Sequence, residues 1–172
     1  MVETVNDILG KRVEAELSKE IKAVICEEEN VLGAYDLIVN NYGPNKDYAS
    51  VHIEVPDYLT VSEIDTLSRK IQANVYKKTK IVLTGISVYS HNTRDERVIA
   101  IRDRIKEIVL SFEGTLGFHG FYINDEDKEM RFDVVFSFSY DENEIINKIK
   151  VEIAKEYPEY MIHISPDIDA SD

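Results

Sequence analysis

The sequence has few of the residues on which disulfide-stapled or nucleic-acid-binding proteins depend. A single cysteine, Cys26, stands among 172 residues, so the chain forms no intrachain disulfide and no thiolate metal cage. The chain contains 20 lysines and arginines but 33 aspartates and glutamates, which gives a formal net charge of −13. Because nucleic-acid surfaces need clustered basic residues, this balance argues against a nucleic-acid partner. It is compatible with cations as partners and equally with a surface that is acidic for solubility.

Long apolar runs and catalytic motifs are also missing. No segment approaches the ~20 apolar residues that a membrane-spanning helix requires, and no signal-peptide pattern is present, so we expect a soluble, cytosolic polypeptide. Phosphate-cradling glycine loops, serine elbows and H-E-x-x-H are absent, which predicts that the chain is not an enzyme. Cys26 lies in the helical run ELSKEIKAVICEEE, where a small buried or half-buried residue is favoured over the alternative of a reactive thiol.

One pattern occurs twice, 84 residues apart. VLGAYDLIVNNY begins at Val31 and TLGFHGFYINDE begins at Thr115. The helical apolar residues upstream repeat at the same spacing: Leu17, Ile21, Val24 and Ile25 fall on Ile101, Ile105, Ile108 and Val109. A repeat of this length predicts two copies of one small fold. The second copy is about ten residues shorter near its end, where Tyr89 matches His163 at a spacing of 74.

Apolar periodicity predicts the order helix, strand, strand, helix, strand in each copy. The first copy has a helix at 12–29, strands at 34–40 and 48–55, a helix after Thr60 with Glu63 completing a capping box, and a strand at 81–89. The second has a helix at 97–112, strands at 117–124 and 131–140, a helix at 142–156 and a strand at 160–165. We expect Gly33 and Gly117 to form the left-handed turn that ends the preceding helix.

This order predicts an α+β fold of two tandem ferredoxin-like (metallochaperone-like) αββαβ modules. We expect a lead-in at 1–11, which resembles a helix tail, then module one at 12–91, module two at 97–166 and an acidic tail at 167–172. Modules this small have small cores and often gain stability by pairing.

Histidines are the candidate metal ligands. In such a module three places converge near one face of the sheet: the start of the first strand, the middle of the second and the end of the third. Imidazole together with nearby carboxylates suits Zn²⁺ and similar ions. Each histidine is also explained as an ordinary strand or surface residue, and no dense H-x-H cluster is present. The candidates are His52, His91, His119 and His163.

The segment VLGAYDLIVNNYGP…ASVHIEVPDYLTVSEIDTLSRKI resembles the cytoplasmic C-terminal domain of cation diffusion facilitator (cation efflux) transporters. The resemblance extends from Thr4 to about Tyr89, and the second module is similar to a degenerate copy of the same domain. It implies a homodimer on the cytoplasmic face of the cell membrane, attached to a transmembrane domain outside this sequence. It also implies a regulatory role in the export of Zn²⁺, Mn²⁺, Fe²⁺ or a related divalent ion.

The resemblance assigns ligand positions one at a time. His52 matches the family's strand-two histidine, whereas Phe136 stands at that place in module two. Where the family often has a histidine in the first strand, module one has Tyr35 and module two has His119. The closing H-x-D pattern reads Tyr89-Ser90-His91 in module one and His163-Ile164-Ser165 in module two.

Neither module thus has a complete ligand set. His52 with His91 is the best remaining pair, and Asp36, Glu54 and Asp57 are possible oxygen donors. Three functions stay open at this point: a metal-sensing regulatory region, a purely structural dimerisation domain, and a small-molecule-binding regulatory α+β module. The last would need a pocket with convergent polar groups, which the sequence does not reveal.

Overall fold

The computed structural model describes residues 15–43 and 46–167 of the chain. The described residues divide into two compact units, 15–88 and 89–167, so the last three residues of the third strand belong to the second unit. The predicted lead-in, part of the first hairpin turn and the tail beyond Asp167 lie outside the described residues. None of the described helices has the length and apolar content needed to cross a bilayer.

The first unit has the predicted αββαβ order. Its elements are α1 (Ala15–Cys26), β1 (Gly33–Asn41), β2 (Asp47–Pro56), α2 (Val61–Thr79) and β3 (Val82–His91). The strands form one sheet in the order β1-β2-β3, with β1 antiparallel to β2. Alternate residues of β2 point toward the helices, and the apolar core contains fully buried Ile21, Ile53 and Ile71.

The second unit repeats this order. Its elements are α3 (Glu96–Leu110), β4 (Thr115–Asn124), β5 (Glu129–Phe136), α4 (Glu142–Glu156) and β6 (Met161–Asp167). The sheet order is β4-β5-β6, with β4 antiparallel and β6 parallel to β5. Ile105, Phe132 and Ile149 lie at the centre of its core. The prediction of an α+β fold with two tandem ferredoxin-like modules is confirmed.

Side-chain caps fix where the helices begin. Glu63 N donates to Thr60 Oγ1 at 3.3 Å and Thr60 N donates to Glu63 Oε2 at 2.7 Å, which is the predicted capping box. The hydrogen bonds that Thr60 N and Thr60 Oγ1 donate to Glu63 Oε2 lower the pKa of the Glu63 carboxyl. Asp95 and Asp141 are the N-caps of α3 and α4, and each carboxylate accepts hydrogen bonds from the backbone N–H groups of the second and third helical residues. Each cap contributes about 1 kcal/mol to helix stability.

The glycine prediction is wrong. Gly33 and Gly117 lie inside β1 and β4, whereas the left-handed residues are Asn30 (φ 72°) and Gly114 (φ 95°), themselves 84 residues apart. Gly33 is needed for space instead, because a Cβ there would lie 2.4 Å from the hydroxyl oxygen of Tyr35. The chain therefore turns from helix to strand through Asn in one module and Gly in the other, each four residues beyond the last helical residue, and both residue types tolerate positive φ.

Three further expectations need correction. Cys26 is exposed, because it is the last residue of α1 and lies beside the buried stripe rather than on it. The strand predicted to reach Tyr140 ends at Phe136, since Tyr140 N donates to Ser137 O at 3.2 Å and closes a turn. Tyr89 is the eighth residue of β3 and His163 the third of β6, so the two do not occupy equivalent places.

Candidate metal centres

A β-bulge recurs at the same place in the first strand of each unit. The β1–β2 register shifts between Tyr35 and Ile38, and Asp36 has φ 52°. The β4–β5 register shifts between His119 and Tyr122, and Gly120, 84 residues after Asp36, has φ 64°. A bulge inserts one residue and redirects the side chains beside it. Aspartate is among the residues that tolerate this left-handed conformation.

The bulge of the first unit brings Asp36 to His52. Asp36 Oδ2 lies 2.9 Å from His52 Nδ1, and the two side chains are 21% and 36% exposed. His52 pairs with Tyr35 across the sheet and alternates with buried Val51 and Ile53, so it lies on the face turned away from the helices. Of the other predicted oxygen donors, Glu54 lies on this face and Asp57 follows the end of β2.

The neighbouring phenol and thiol are neutral at physiological pH. Burial, reinforced by the Glu54 carboxylate, raises the pKa of Tyr35 to about 12. The side chain of Cys26 is exposed overall, but partial desolvation of its thiol raises the pKa of this group, and nearby Lys22 opposes the shift. Phenolate and thiolate are the metal-binding forms of these groups, so imidazole and carboxylate are the donors that this region offers a cation.

The second unit contains a buried histidine between two carboxylates. The His119 side chain is 1% exposed, and its Nε2 lies 3.6 Å from Asp167 Oδ2 and 3.9 Å from Asp133 Oδ2. His119 and Asp133 are partners in the β4–β5 ladder. Tyr89 Oη donates to Asp133 Oδ2 at 2.7 Å, and its ring centroid lies 5.9 Å from that of His119. Strand pairing and the bulge thus bring one imidazole and two acidic side chains together.

The other two predicted histidines contact arginine or an arginine-bound acid. His91 Nε2 lies 2.5 Å from Arg102 Nη1, which also donates to the carbonyl oxygen of Asn92 at 3.1 Å. Because a guanidinium only donates and keeps its charge, it disfavours a cation at the same nitrogen. His163 pairs with Arg131 in the β5–β6 ladder, and its Nε2 is 3.8 Å from Glu129 Oε1.

The two remaining groups have separations close to those of donors on one divalent metal ion. Metal–nitrogen and metal–oxygen bonds of about 2.1 Å place two donors on one ion roughly 3.0–3.6 Å apart. The His119–Asp167 separation of 3.6 Å lies at the upper end of this range, and the His119–Asp133 separation of 3.9 Å lies just beyond it. The Asp36–His52 separation of 2.9 Å is slightly shorter than the range and is that of a hydrogen bond. Imidazole nitrogen with carboxylate oxygen is a donor set that Zn²⁺, Mn²⁺ and Fe²⁺ accept.

Sequence reasoning identified His119 and missed both of its acidic neighbours. Asp133 alternates with buried Phe132 and Val134, so the period of β5 places it on the outer face, opposite His119. The prediction that Phe136 occupies the place of His52 is therefore wrong: His52 pairs with Tyr35, and in the second unit Asp133 pairs with His119, whereas Phe136 is buried in the core. The sequence predicts an acidic tail from Asp167, but β6 continues through this residue. His52 and His91, the pair favoured from the sequence, fall in different units.

Comparison with known proteins identifies the first module. The fold defines the class: each unit is an α+β module of the ferredoxin-like kind, with imidazole and carboxylate groups on one face of its sheet. Residues 13–86 match the family model described as the cytoplasmic domain of cation efflux proteins. The first module belongs to this family, and the second repeats its architecture.

Similar solved structures include three variants of the MamM C-terminal domain. A cadmium form with an aspartate-to-glutamate substitution is 19% identical, with a TM-score of 0.39 over 46% of this chain and 96% of that one. A copper form with an aspartate-to-histidine substitution is 19% identical, with a TM-score of 0.38 and the same coverage. A nickel form with a glutamate-to-histidine substitution is 20% identical, with a TM-score of 0.38 over 46% and 98%. No curated protein sequence matches the chain.

Proposed function

We propose that the chain is the dimerising, metal-responsive cytoplasmic region of a divalent-cation efflux transporter of the zinc, manganese and iron class. The observation that carries this proposal is the match of residues 13–86 to the cation efflux cytoplasmic domain. The imidazole–carboxylate groups at Asp36–His52 and at His119–Asp133–Asp167 support the metal-responsive part. Divalent cations are both the exported substrate and the regulatory ligand in this proposal.

Charge balance favours cation binding in the second unit. The side chains of Asp133 and Asp167 are 18% and 13% exposed and face the almost fully buried His119. Partly buried carboxylates lose much of their hydration, and a divalent ion would neutralise both. His119 would supply the nitrogen ligand, and the Tyr89 hydroxyl would hold Asp133 in place. In the first unit, His52 and Asp36 would supply the corresponding nitrogen and oxygen.

Regulation requires that the ion bind one arrangement of the protomers more tightly than another. An ion with equal affinity for both arrangements would shift nothing, however tightly it bound. Because each unit is small, pairing of protomers also stabilises the modules. In the proposal, a divalent ion bound at the outer sheet faces shifts the arrangement of the paired protomers.

Isothermal titration calorimetry with ZnCl₂ and MnCl₂ tests the proposal. We expect His52→Ala and His119→Ala each to weaken or abolish one binding component, since each removes the only imidazole of its group. His163→Ala is the matched control, because it removes a strand imidazole that lies beside Glu129 rather than in either group. Absence of binding heat with both metals would refute the metal-responsive part.

A structural dimerisation domain without metal is the second candidate. Tyr35 stands where the family often has a histidine, and Arg102 contacts the nitrogen of His91. This alternative predicts that sedimentation velocity gives the same dimer in zinc and in EDTA. The metal-responsive proposal predicts a change in sedimentation coefficient or dimer affinity on adding zinc.

A further inference from the structure

The seam between the two helices of the first unit is closed by a buried acid. Glu28, just beyond α1, has a side chain that is only 6% exposed. Asn74 Nδ2 donates to Glu28 Oε1 at 2.6 Å, and Lys70 Nζ lies 2.5 Å from Glu28 Oε2. Ala73 lies between these two positions of α2 and is exposed. The seam is therefore polar and occupied.

The equivalent seam of the second unit has lost this acid. Ile25 and Val109 are fully buried and 84 residues apart, so Phe112 takes the place of Glu28. The fully buried residues of α2 and α4 match at a spacing of 78, since Ile71 falls on Ile149 and Val75 on Ile153. At that spacing the seam residues Lys70, Ala73 and Asn74 fall on Lys148, Val151 and Glu152.

The result is an open apolar groove on the helix side of the second unit. It has a volume of about 390 Å³ and is lined by Phe112, Asn147, Lys148, Val151 and Glu152. Val151 is 62% exposed, and Phe112 is half-buried. Exposed apolar residues grouped in a groove with a polar border are typical of a protein contact surface.

We infer that a second copy of this chain docks on this groove, with α4 antiparallel to the partner's α4. A two-fold interface uses the same patch on both protomers, so the patch must complement itself. Lys148 and Glu152 are one turn apart and flank Val151, so antiparallel packing places Lys148 opposite the partner's Glu152. The same rotation places Glu152 opposite the partner's Lys148. A different partner whose surface carries charge of one sign would pair with only one of these two side chains, Lys148 or Glu152.

The existing ion pairs of α4 do not oppose this exchange. Lys148 pairs with Glu144 at 2.6 Å and Lys155 with Glu152 at 2.5 Å, with side chains 44–65% exposed. Exposed pairs of this kind contribute little, so exchange of partners across the interface has a small cost. The inference goes beyond the proposed function, because the contact involves no histidine and needs no metal.

Site-directed cross-linking in EDTA tests the contact. In a Cys26→Ser background, we expect mild oxidation to join Val151→Cys chains into covalent dimers. Ala73→Cys is the matched control, since it puts an exposed cysteine at the equivalent place on the polar seam of the first unit. Equal cross-linking of the two variants, or none at position 151, would overturn the inference. The proposed metal response is unaffected by either result, so the two failures are distinguishable.

Charge reversal tests whether the patch complements itself. By sedimentation equilibrium in EDTA, we expect Glu152→Lys alone to weaken self-association through α4 about tenfold, because like charges then face each other. The double variant Lys148→Glu, Glu152→Lys restores opposite charges across the two-fold axis and regains most of the affinity. A double variant as weak as Glu152→Lys, or a single variant equal to wild type, would contradict docking of a second copy.

Discussion

Replacement of Glu28 tests how the first unit closes its helix seam. Glu28→Ala removes the carboxylate that Asn74 and Lys70 contact, and Glu28→Gln keeps a hydrogen-bond acceptor for Asn74 while removing the charge. The two variants therefore separate the hydrogen bond from the ion pair. Both leave the apolar core between the sheet and the helices unchanged.

The contacts set the expected magnitudes. The hydrogen bond from the Asn74 amide to a buried carboxylate contributes about 1.5–3 kcal/mol to the free energy of unfolding. Lys70 is 63% exposed, so its pairing with Glu28 is screened by water and contributes no more than about 1 kcal/mol. We therefore expect Glu28→Ala to lower the free energy of unfolding by about 2–4 kcal/mol and Glu28→Gln by about 1 kcal/mol.

Urea unfolding followed by circular dichroism measures the loss, and amide hydrogen exchange at Ile71 and Val75 assigns it to the first unit. Glu107→Gln, on the exposed side of α3, is the control for loss of one negative charge. The reasoning is refuted if Glu28→Gln destabilises the protein as much as Glu28→Ala, because the ion pair would then dominate. An unchanged midpoint in Glu28→Ala would equally contradict a sealing role.

Three other predictions follow from the second unit. Gly114→Ala should destabilise the protein by about 1–3 kcal/mol in urea unfolding, because Gly114 has φ 95° and an added Cβ would lie 2.8 Å from a tyrosine ring; an unchanged midpoint would contradict this. A hydrogen bond from Tyr160 and a second one from Arg97 lower the pKa of the Asp125 carboxyl below its ordinary value of 3.8. The stability that these contacts give the folded protein is therefore present above pH 3.8 and is lost as the pH falls through the lower pKa of the folded state. Carboxyl ¹³C NMR should therefore show this pKa rising in Tyr160→Phe, and no rise would exclude the hydrogen bond as its cause. Because Arg102 donates to Nε2 of His91, ¹⁵N NMR should find the Nδ1–H tautomer in wild type and a mixture in Arg102→Met; an Nε2–H tautomer in wild type would rule out this contact.

The order of elements and most of the core could be predicted from the sequence, because both depend on residue periodicity. Helical spacing found Ile21 and Ile25, alternation found Val51 and Ile53, and all four are buried. The repeat strengthened each assignment, since a misread element would have to be misread twice. The capping box of Thr60 with Glu63 could also be predicted, because the two residues are only three apart in the sequence.

The metal-site geometry could not be predicted in the same way. A bulge at Asp36 or Gly120 adds one residue without changing composition, yet it decides which neighbours reach the outer face. The contacts of His119 with Asp133 and Asp167 join three strands, so their proximity depends on strand register rather than on local spacing. Arg102 near His91 belongs to the following helix, and nothing in the pattern of the strand indicates it.

X-ray absorption spectroscopy at the zinc edge, on protein loaded with Zn²⁺ and exchanged into metal-free buffer, tests the metal-responsive account most directly. The account predicts bound zinc with a nitrogen and oxygen shell, imidazole scattering, and loss of that scattering in the His52→Ala, His119→Ala double variant. Protein that retains no zinc would contradict the account, and so would a sulfur ligand at about 2.3 Å from the zinc, which Cys26 would supply.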